Sequence, residues 1–251
     1  MLRLTTEDGT LIHQADLPAH TLPATEAATP LLNHQSTQDW VAEAPPGPVL
    51  ALGIRAPSHD QLAAVLQPFG DRDIVGVDVH EGIGIDHIVD VHCLSQAVEP
   101  GSFAIVYSRS VLEHVALPWL VALECSRVLK VGGLALHSAP WIWPTHASPN
   151  DFWRFSPAGL EQLFSSALGF ELLASGSSGP AVVMPHPAWR EEYVRMPTMS
   201  SDAESWIVVR KVAESDAKAS WPYDAAAGIA TARRYPVDGL SVPLTPDNNT
   251  A

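Results

Sequence analysis

The chain is poor in three things, and each scarcity narrows what it can do. Only two of its 251 residues are cysteine, Cys93 and Cys125. They lack CxxC or metal-ligand spacing, and each lies in an apolar run where cysteine behaves as a small buried hydrophobe. Neither a disulfide framework nor a thiolate metal site is therefore expected. Basic residues are also few: 14 Lys and Arg face 28 Asp and Glu, a formal charge of −14. Nucleic acid and anionic membranes are gripped by concentrated positive surface, so neither is expected as a partner. Long apolar runs are missing too; none approaches the roughly 18 residues that would span a bilayer. The opening Met-Leu-Arg-Leu-Thr-Thr-Glu-Asp-Gly-Thr has neither the basic start nor the apolar stretch of a secretory signal, so the expected location is the cytoplasm.

What the chain does have is enough apolar sequence, 46%, for one domain with appendages. Its 22 prolines crowd residues 18–48 and 222–246, whereas Phe103–Ala139 holds only Pro118. This predicts loop-rich ends around a regular centre. We accordingly divide the chain into a lead-in, 1–45, a central domain, 46–212, and a Pro- and Ala-rich tail, 213–251. In the lead-in, Leu2–Thr6 and Thr10–Gln14 flank Glu7-Asp8-Gly9, whose Asp-Gly pair signals a hairpin. The tail is expected either to be disordered or to pack as an arm on a partner subunit, as in a homodimer.

From Pro48 onward, short apolar runs alternate with helical spacing. Val49–Leu52, Ile74–Val77, Phe103–Tyr107 and Leu134–His137 read as buried strands. Between them, Ser58–Gln67 and Leu117–Leu129 read as helices; in the second, Val121, Cys125 and Val128 fall on one face. Pro118 suits that helix's first turn, and Gly132-Gly133 is expected to stop it. Ser156-Pro157 should cap a helix reaching about Ser166, with late strands at Phe170–Ala174 and Trp206–Val212. Strands and helices alternating in this way predict a parallel sheet covered on both faces. In such a sheet ligands bind beyond the carboxyl ends of the strands, which draws attention to Gly53, Asp78, Asp90, Ser108 and the segment after Pro140. A dinucleotide-binding oxidoreductase is disfavoured, because Gly53-Ile54-Arg55-Ala56-Pro57-Ser58 lacks the G-x-G-x-x-G turn.

Val49–Gly53, Val75–Asp78, Val89–Leu94, Phe103–Ser108, Val111–Val115 and Arg127–Gly133 resemble, in order and spacing, the consecutive motifs of class I S-adenosylmethionine-dependent methyltransferases of the type 11 kind. The resemblance covers about residues 46–212. It implies a doubly wound, Rossmann-like, mostly parallel seven-stranded sheet with a reversed last strand, and S-adenosylmethionine as cofactor. It further implies that Gly53 lets the backbone approach the methionine part and that Asp78 holds the ribose hydroxyls. Asp90 and the Val91 N–H would meet the adenine, and Ser108 would lie near the methionine amino group. The family's glycine-rich first motif is altered here: Ala51, Arg55 and Pro57 replace its acidic residue and two of its glycines. Arg55 either pairs with the cofactor carboxylate or is a surface residue beside a loop that has lost its cradle.

Residues 140–156, Pro-Trp-Ile-Trp-Pro-Thr-His-Ala-Ser-Pro-Asn-Asp-Phe-Trp-Arg-Phe-Ser, resemble a His-x-x-Pro-x-Asp-aromatic-x-Arg segment of methyltransferases associated with glycan biosynthesis. Trp141, Trp143 and Trp153 offer flat apolar faces for sugar C–H groups. A hydroxyl acceptor needs its proton removed, and His146 is the first choice of base, with Asp151 orienting it or acting itself. Against this, the tryptophans could simply cover the sheet edge, and Asp151 with Arg154 at i, i+3 reads as a structural ion pair. His114 follows Glu113 in a motif where both usually shape a loop, with His114 at the rim of the acceptor site. His137 reads as a core histidine. A divalent metal such as Mg2+ could bridge acceptor hydroxyls, but no ligand spacing fixes it. The expected activity is O-methylation of a saccharide or sugar-containing small molecule, with a mannose-type oligosaccharide of methylated polysaccharides as the suggested acceptor. The competing expectation is a catalytically silent methyltransferase-like subunit.

Overall fold

The computed structural model describes residues 2–5, 11–15, 34–184, 190 and 199–215. Leu2–Thr5 (β1) and Leu11–Ala15 (β2) pair antiparallel, with Leu2 opposite Ala15, as the hairpin reading requires. Glu7-Asp8-Gly9 and the tail beyond residue 215 lie outside the described residues.

The central sheet has seven strands: Val49–Leu52 (β3), Ile74–Asp78 (β4), His87–Ile88 (β5), Phe103–Arg109 (β6), Leu129–Pro140 (β7), Phe170–Val183 (β8) and Met199–Lys211 (β9). Their order is β5-β4-β3-β6-β7-β9-β8. All pairings from β5 to β7 are parallel, and β9 runs antiparallel to both β7 and β8, so the last strand alone is reversed. This is the Rossmann-like sheet expected. Buried on both faces, β3 is wholly apolar, and all four of its residues are inaccessible to solvent.

Helices cover both faces. On one, Leu50, Leu52, Val77 and Val106 pack against Val121, Cys125 and Val128 of Pro118–Val128 (α3) and Leu160 and Leu163 of Pro157–Leu163 (α4). The apolar face read from the sequence is thus the buried one. Burial also pushes the Cys125 thiol pKa well above its usual range, while Cys93 is only half-buried. Caps fix where the helices begin: the Ser58 hydroxyl accepts from the Gln61 N–H ahead of His59–Leu66 (α2), and that of Ser156 from the Gly159 N–H ahead of α4. Helix α4 stops at Leu163, three residues short of expectation, and a 3-10 turn, Ser166–Leu168, follows.

Two expectations need correction. Gly132-Gly133 do not stop α3, which ends at Val128 and passes straight into β7. They lie within the strand, where the register jumps from Phe103↔Leu129 to Ile105↔Leu134 and Gly132 takes φ +87°. A bulge needs that conformational freedom. The Pro-rich lead-in is also not all loop: His34–Glu43 (α1) is a helix whose Val41, with Ala44 just beyond, is buried against Val49, Ile105, Leu136 and Phe69 on the second face of the sheet.

Helix α1 is clamped there by one side chain. Arg72, in the loop before β4, donates from Nη2 to the Val41 and Ala44 carbonyls (2.9 and 3.0 Å) and from Nη1 to those of Pro45 and Gly47 (2.7 and 3.1 Å). A cation at a helix C-terminus meets the otherwise unpaired last carbonyls and the negative end of the helix dipole. Arg72→Ala is expected to lower unfolding free energy by about 2–3 kcal/mol in urea titrations. Arg72→Lys should restore little of it, since a single ammonium cannot serve four carbonyls as a planar fork does.

Candidate active site

The strand ends that should carry chemistry converge on one edge of the sheet. A cavity of about 540 Å3 is framed by Gly53–Pro57 after β3, by Thr37 of α1 and Gln61 of α2, and by Tyr107, Arg109 and Ser110 at the end of β6. Gly53 is required there: its φ is +65°, and a Cβ would lie 2.5 Å from Val111 Cγ2. Arg55 also lines the cavity, and its stem lies so close over Gly82 that a Cβ on that glycine would sit 2.5 Å from Arg55 Cγ. The alkyl stem thus fills space above the β4–β5 loop, where Ala56 bridges to Ile83.

Asp78 and Asp90 stand at neighbouring strand ends, outside that lining. The Asp78 carboxylate accepts from the His80 N–H (2.9 Å). Asp90 accepts the backbone N–H of His92 and pairs with its Nδ1 at 2.5 Å, capping the turn that begins at Val91. These bonds hold the Asp90 carboxyl pKa below its usual value, although burial of the group is the largest single influence and acts in the opposite direction. Val91 is buried in the core below.

Ser108 is not at the crevice. Its buried hydroxyl bonds His137 Nδ1 at 2.7 Å. The cause is the pleat of β6: side chains alternate, so Tyr107 and Arg109 reach the cavity and Ser108 points to the opposite face. Tyr107, Arg109 and Ser110 are cavity residues that the motifs do not mark; strand alternation is a signal for the first two, while Ser110 lies just past the strand in a left-handed conformation.

A second cavity, about 270 Å3, shares Arg109 and Ser110 with the first and adds Glu113, Pro140, Trp143, His146 and Glu204. Of the three tryptophans, Trp143 alone lines it. Trp153 donates its indole N–H to the Ala116 carbonyl and packs on Trp119, and Trp141 bonds the Ala203 carbonyl through its backbone.

The loop carrying His146 is braced by Asp151. Arg154 clamps its carboxylate through both terminal nitrogens (2.5 and 2.7 Å), and the backbone N–H of His146 donates to it at 2.8 Å. The Arg154 bonds hold the Asp151 carboxyl far below the usual carboxylate range. Such a group orients the loop and is a poor proton acceptor. This loop is knitted to the one after β6, because the Phe152 N–H donates to the Glu113 carbonyl and His114 Nδ1 to that of Asn150 (2.8 and 2.7 Å). Among the described residues, the two non-glycines in left-handed backbone conformation are Ser110 (φ 53°) and Ala147 (φ 49°). Both flank this cavity, and such strain persists where surrounding structure over-determines it.

Glu113 is the unexpected member. Its side chain is wholly buried, neither carboxylate oxygen has a hydrogen-bond partner, and burial pushes its pKa up. Oε1 lies 3.6 Å from His114 Nε2 and 4.0 Å from His146 Nε2. The two imidazoles meet edge to face at 4.8 Å.

Residues 59–137 match the family model of a methyltransferase domain. That match supports a class I S-adenosylmethionine-dependent methyltransferase, and with it S-adenosylmethionine as cofactor. No protein of curated function matches the sequence. Among solved structures, a Bacillus halodurans C-125 protein described as a methyltransferase superposes with TM-score 0.53 at 16% identity, covering 72% of this chain and 99% of its own. A SAM-dependent methyltransferase from Archaeoglobus fulgidus gives 0.50 at 13%, covering 71% and 95%. At such identities the likeness shows the fold. Among the described residues, no helix of this methyltransferase-like chain is long and apolar enough to cross a membrane.

His137 makes its environment measurable. It is wholly buried, stacked on Phe164, with Nε2 unpartnered, and burial lowers its pKa from 6.5 to about 3. It is therefore neutral when folded and takes up a proton on unfolding between those values. Stability should fall as pH drops below 6.5, by up to about 1.4 kcal/mol per pH unit from this group. His137→Gln should flatten the stability–pH slope between pH 6 and 4 by about one proton in urea titrations. An unchanged slope would contradict the burial effect.

Proposed function

We propose that the protein is an S-adenosylmethionine-dependent O-methyltransferase whose acceptor is a hydroxyl of a saccharide or sugar-containing small molecule, of the mannose-type oligosaccharide class. The cofactor's methionine end would occupy the larger cavity at Gly53, with Asp78 and Asp90 taking the ribose and adenine, and the acceptor would occupy the smaller one. The observation carrying the reading is His146. Its Nδ1 faces the Pro144 carbonyl (3.2 Å) and the Asp151 carboxylate (3.5 Å), both of which only accept. Neutral imidazole so placed keeps its proton on Nδ1 and its lone pair on Nε2, in a residue lining the smaller cavity. A hydroxyl held there can lose its proton as it attacks the sulfonium methyl, while Trp143 supplies an apolar face and Arg109 and Glu204 supply polar ones.

Calorimetry with S-adenosylmethionine should show one site per chain. Asp78→Ala should weaken it at least about tenfold with the unfolding midpoint kept. His146→Ala should leave cofactor affinity intact and lower turnover by about 100-fold or more. Release of S-adenosylhomocysteine with a lipid, quinone or peptide but with no glycan would refute the saccharide assignment. The altered loop at Ala51, Arg55 and Pro57 favours one second reading, a catalytically silent subunit, for which saturating cofactor would give neither heat nor thermal stabilisation.

A further inference from the structure

Three acceptors face one another beside the smaller cavity with no donor between them. His114 Nδ1 is directed at the Asn150 carbonyl and His146 Nδ1 at that of Pro144. A carbonyl cannot donate, so in each neutral ring the proton sits on Nδ1 and Nε2 carries a lone pair. Both Nε2 atoms point at Glu113 Oε1, at 3.6 and 4.0 Å, beyond hydrogen-bond length, and that carboxylate is wholly buried and unpartnered. A buried acceptor left unmatched is costly, and two lone pairs aimed at it add to the cost. A cation at the centre would satisfy all three.

We propose that Glu113, His114 and His146 form a binding site for a divalent transition-metal ion, zinc being the ion the donors suit best, with its open coordination position toward the 270 Å3 cavity. One ligand atom from each residue lies within 4.8 Å of the others. Tetrahedral zinc with bonds near 2.0–2.1 Å holds its donors about 3.3 Å apart, so the two nitrogen–oxygen gaps of 3.6 and 4.0 Å would close by about 0.3 and 0.7 Å, and the widest donor separation, at most 4.8 Å, by up to about 1.5 Å as the two loops draw in around the ion. Two imidazoles and one carboxylate with an open fourth position make a donor set of catalytic zinc type. The same set does not suit Mg2+, which takes oxygen ligands. The outer shell is also in place: each ring is held through Nδ1 by a backbone carbonyl, and Asp151 stands behind His146. The ligands come from two loops that already bond to each other, Glu113 and His114 after β6 and His146 after β7. The metal's catalytic meaning rests on the proposed function, since it adjoins the proposed acceptor pocket; its binding does not.

The test titrates chelator-treated full-length protein with zinc chloride, reading calorimetric heat and the unfolding midpoint. One ion per chain and a raised midpoint are expected. His114→Ala, His146→Ala and Glu113→Gln should each weaken zinc binding at least about tenfold, whereas His59→Ala, exposed on α2, should not. Glu113→Gln keeps the shape and removes the buried charge, so it should fold. Absence of zinc uptake by the wild type, or equal uptake by wild type and all three variants, overturns the proposal. Neither readout involves methyl transfer, so the metal site and the methyltransferase reading fail separately.

Discussion

The pleat of β6 governs how the rest of the site is arranged. This strand lies between β3 and β7 and is buried on both faces, so its alternation cannot slip without exposing apolar side chains on one of them. That constraint sends Val106 and Ser108 to the α3 side and Ile105, Tyr107 and Arg109 to the α1 side. Arg109 and Ser110 then form the wall shared by the two cavities. Just beyond the strand, Ser110 takes a left-handed conformation and donates its N–H to the Ser138 carbonyl, ahead of the loop that carries Glu113 and His114.

Because the edge is fixed in this way, the loop after β7 has a rigid surface to close against. Its own order comes from Asp151 and Arg154, a bidentate pair whose short donors also reach the Trp143 and Pro144 carbonyls. The arrangement separates two acidic roles by environment. Asp151 is supplied with donors that hold its carboxyl far below the usual carboxylate range, whereas Glu113 is denied them and burial pushes its pKa up.

The elements legible in the sequence were those whose partners are local or whose burial is complete. Apolar runs gave β3, β4, β6 and the start of β8; Ser58 and Ser156 gave two helix starts; i, i+3 spacing gave the Asp151–Arg154 pair. Helix α1 was not legible, because His34–Glu43 is largely polar and its place depends on Arg72, some thirty residues away. The lengths of β8 and β9 were hidden too. Beyond their apolar ends they continue as an antiparallel ribbon in which Ser175 and Ser178 face Ile207 and Glu204, and Ser200 and Asp202 face Val182 and Pro180; its serine-rich sequence lacks strand propensity. Glu113 was read as a loop-shaping residue for a related reason. Nothing in a sequence marks a glutamate as buried; the burial comes from the closing of a loop that begins near Trp141.

That burial also sets the relation between acid–base and metal chemistry at the site. A proton on Glu113 or on either Nε2, and a metal ion among them, answer the same electrostatic need in the same place. The two occupancies are therefore mutually exclusive, and lowering the pH should displace the ion. With the ion absent, His146 Nε2 remains free to accept a proton from an acceptor hydroxyl. With it bound, that lone pair is committed, and a hydroxyl entering the cavity would meet a Lewis acid where the base had been. On the proposed reading, either state would stabilise an alkoxide forming at the same point, because both place a positive centre against the same buried carboxylate.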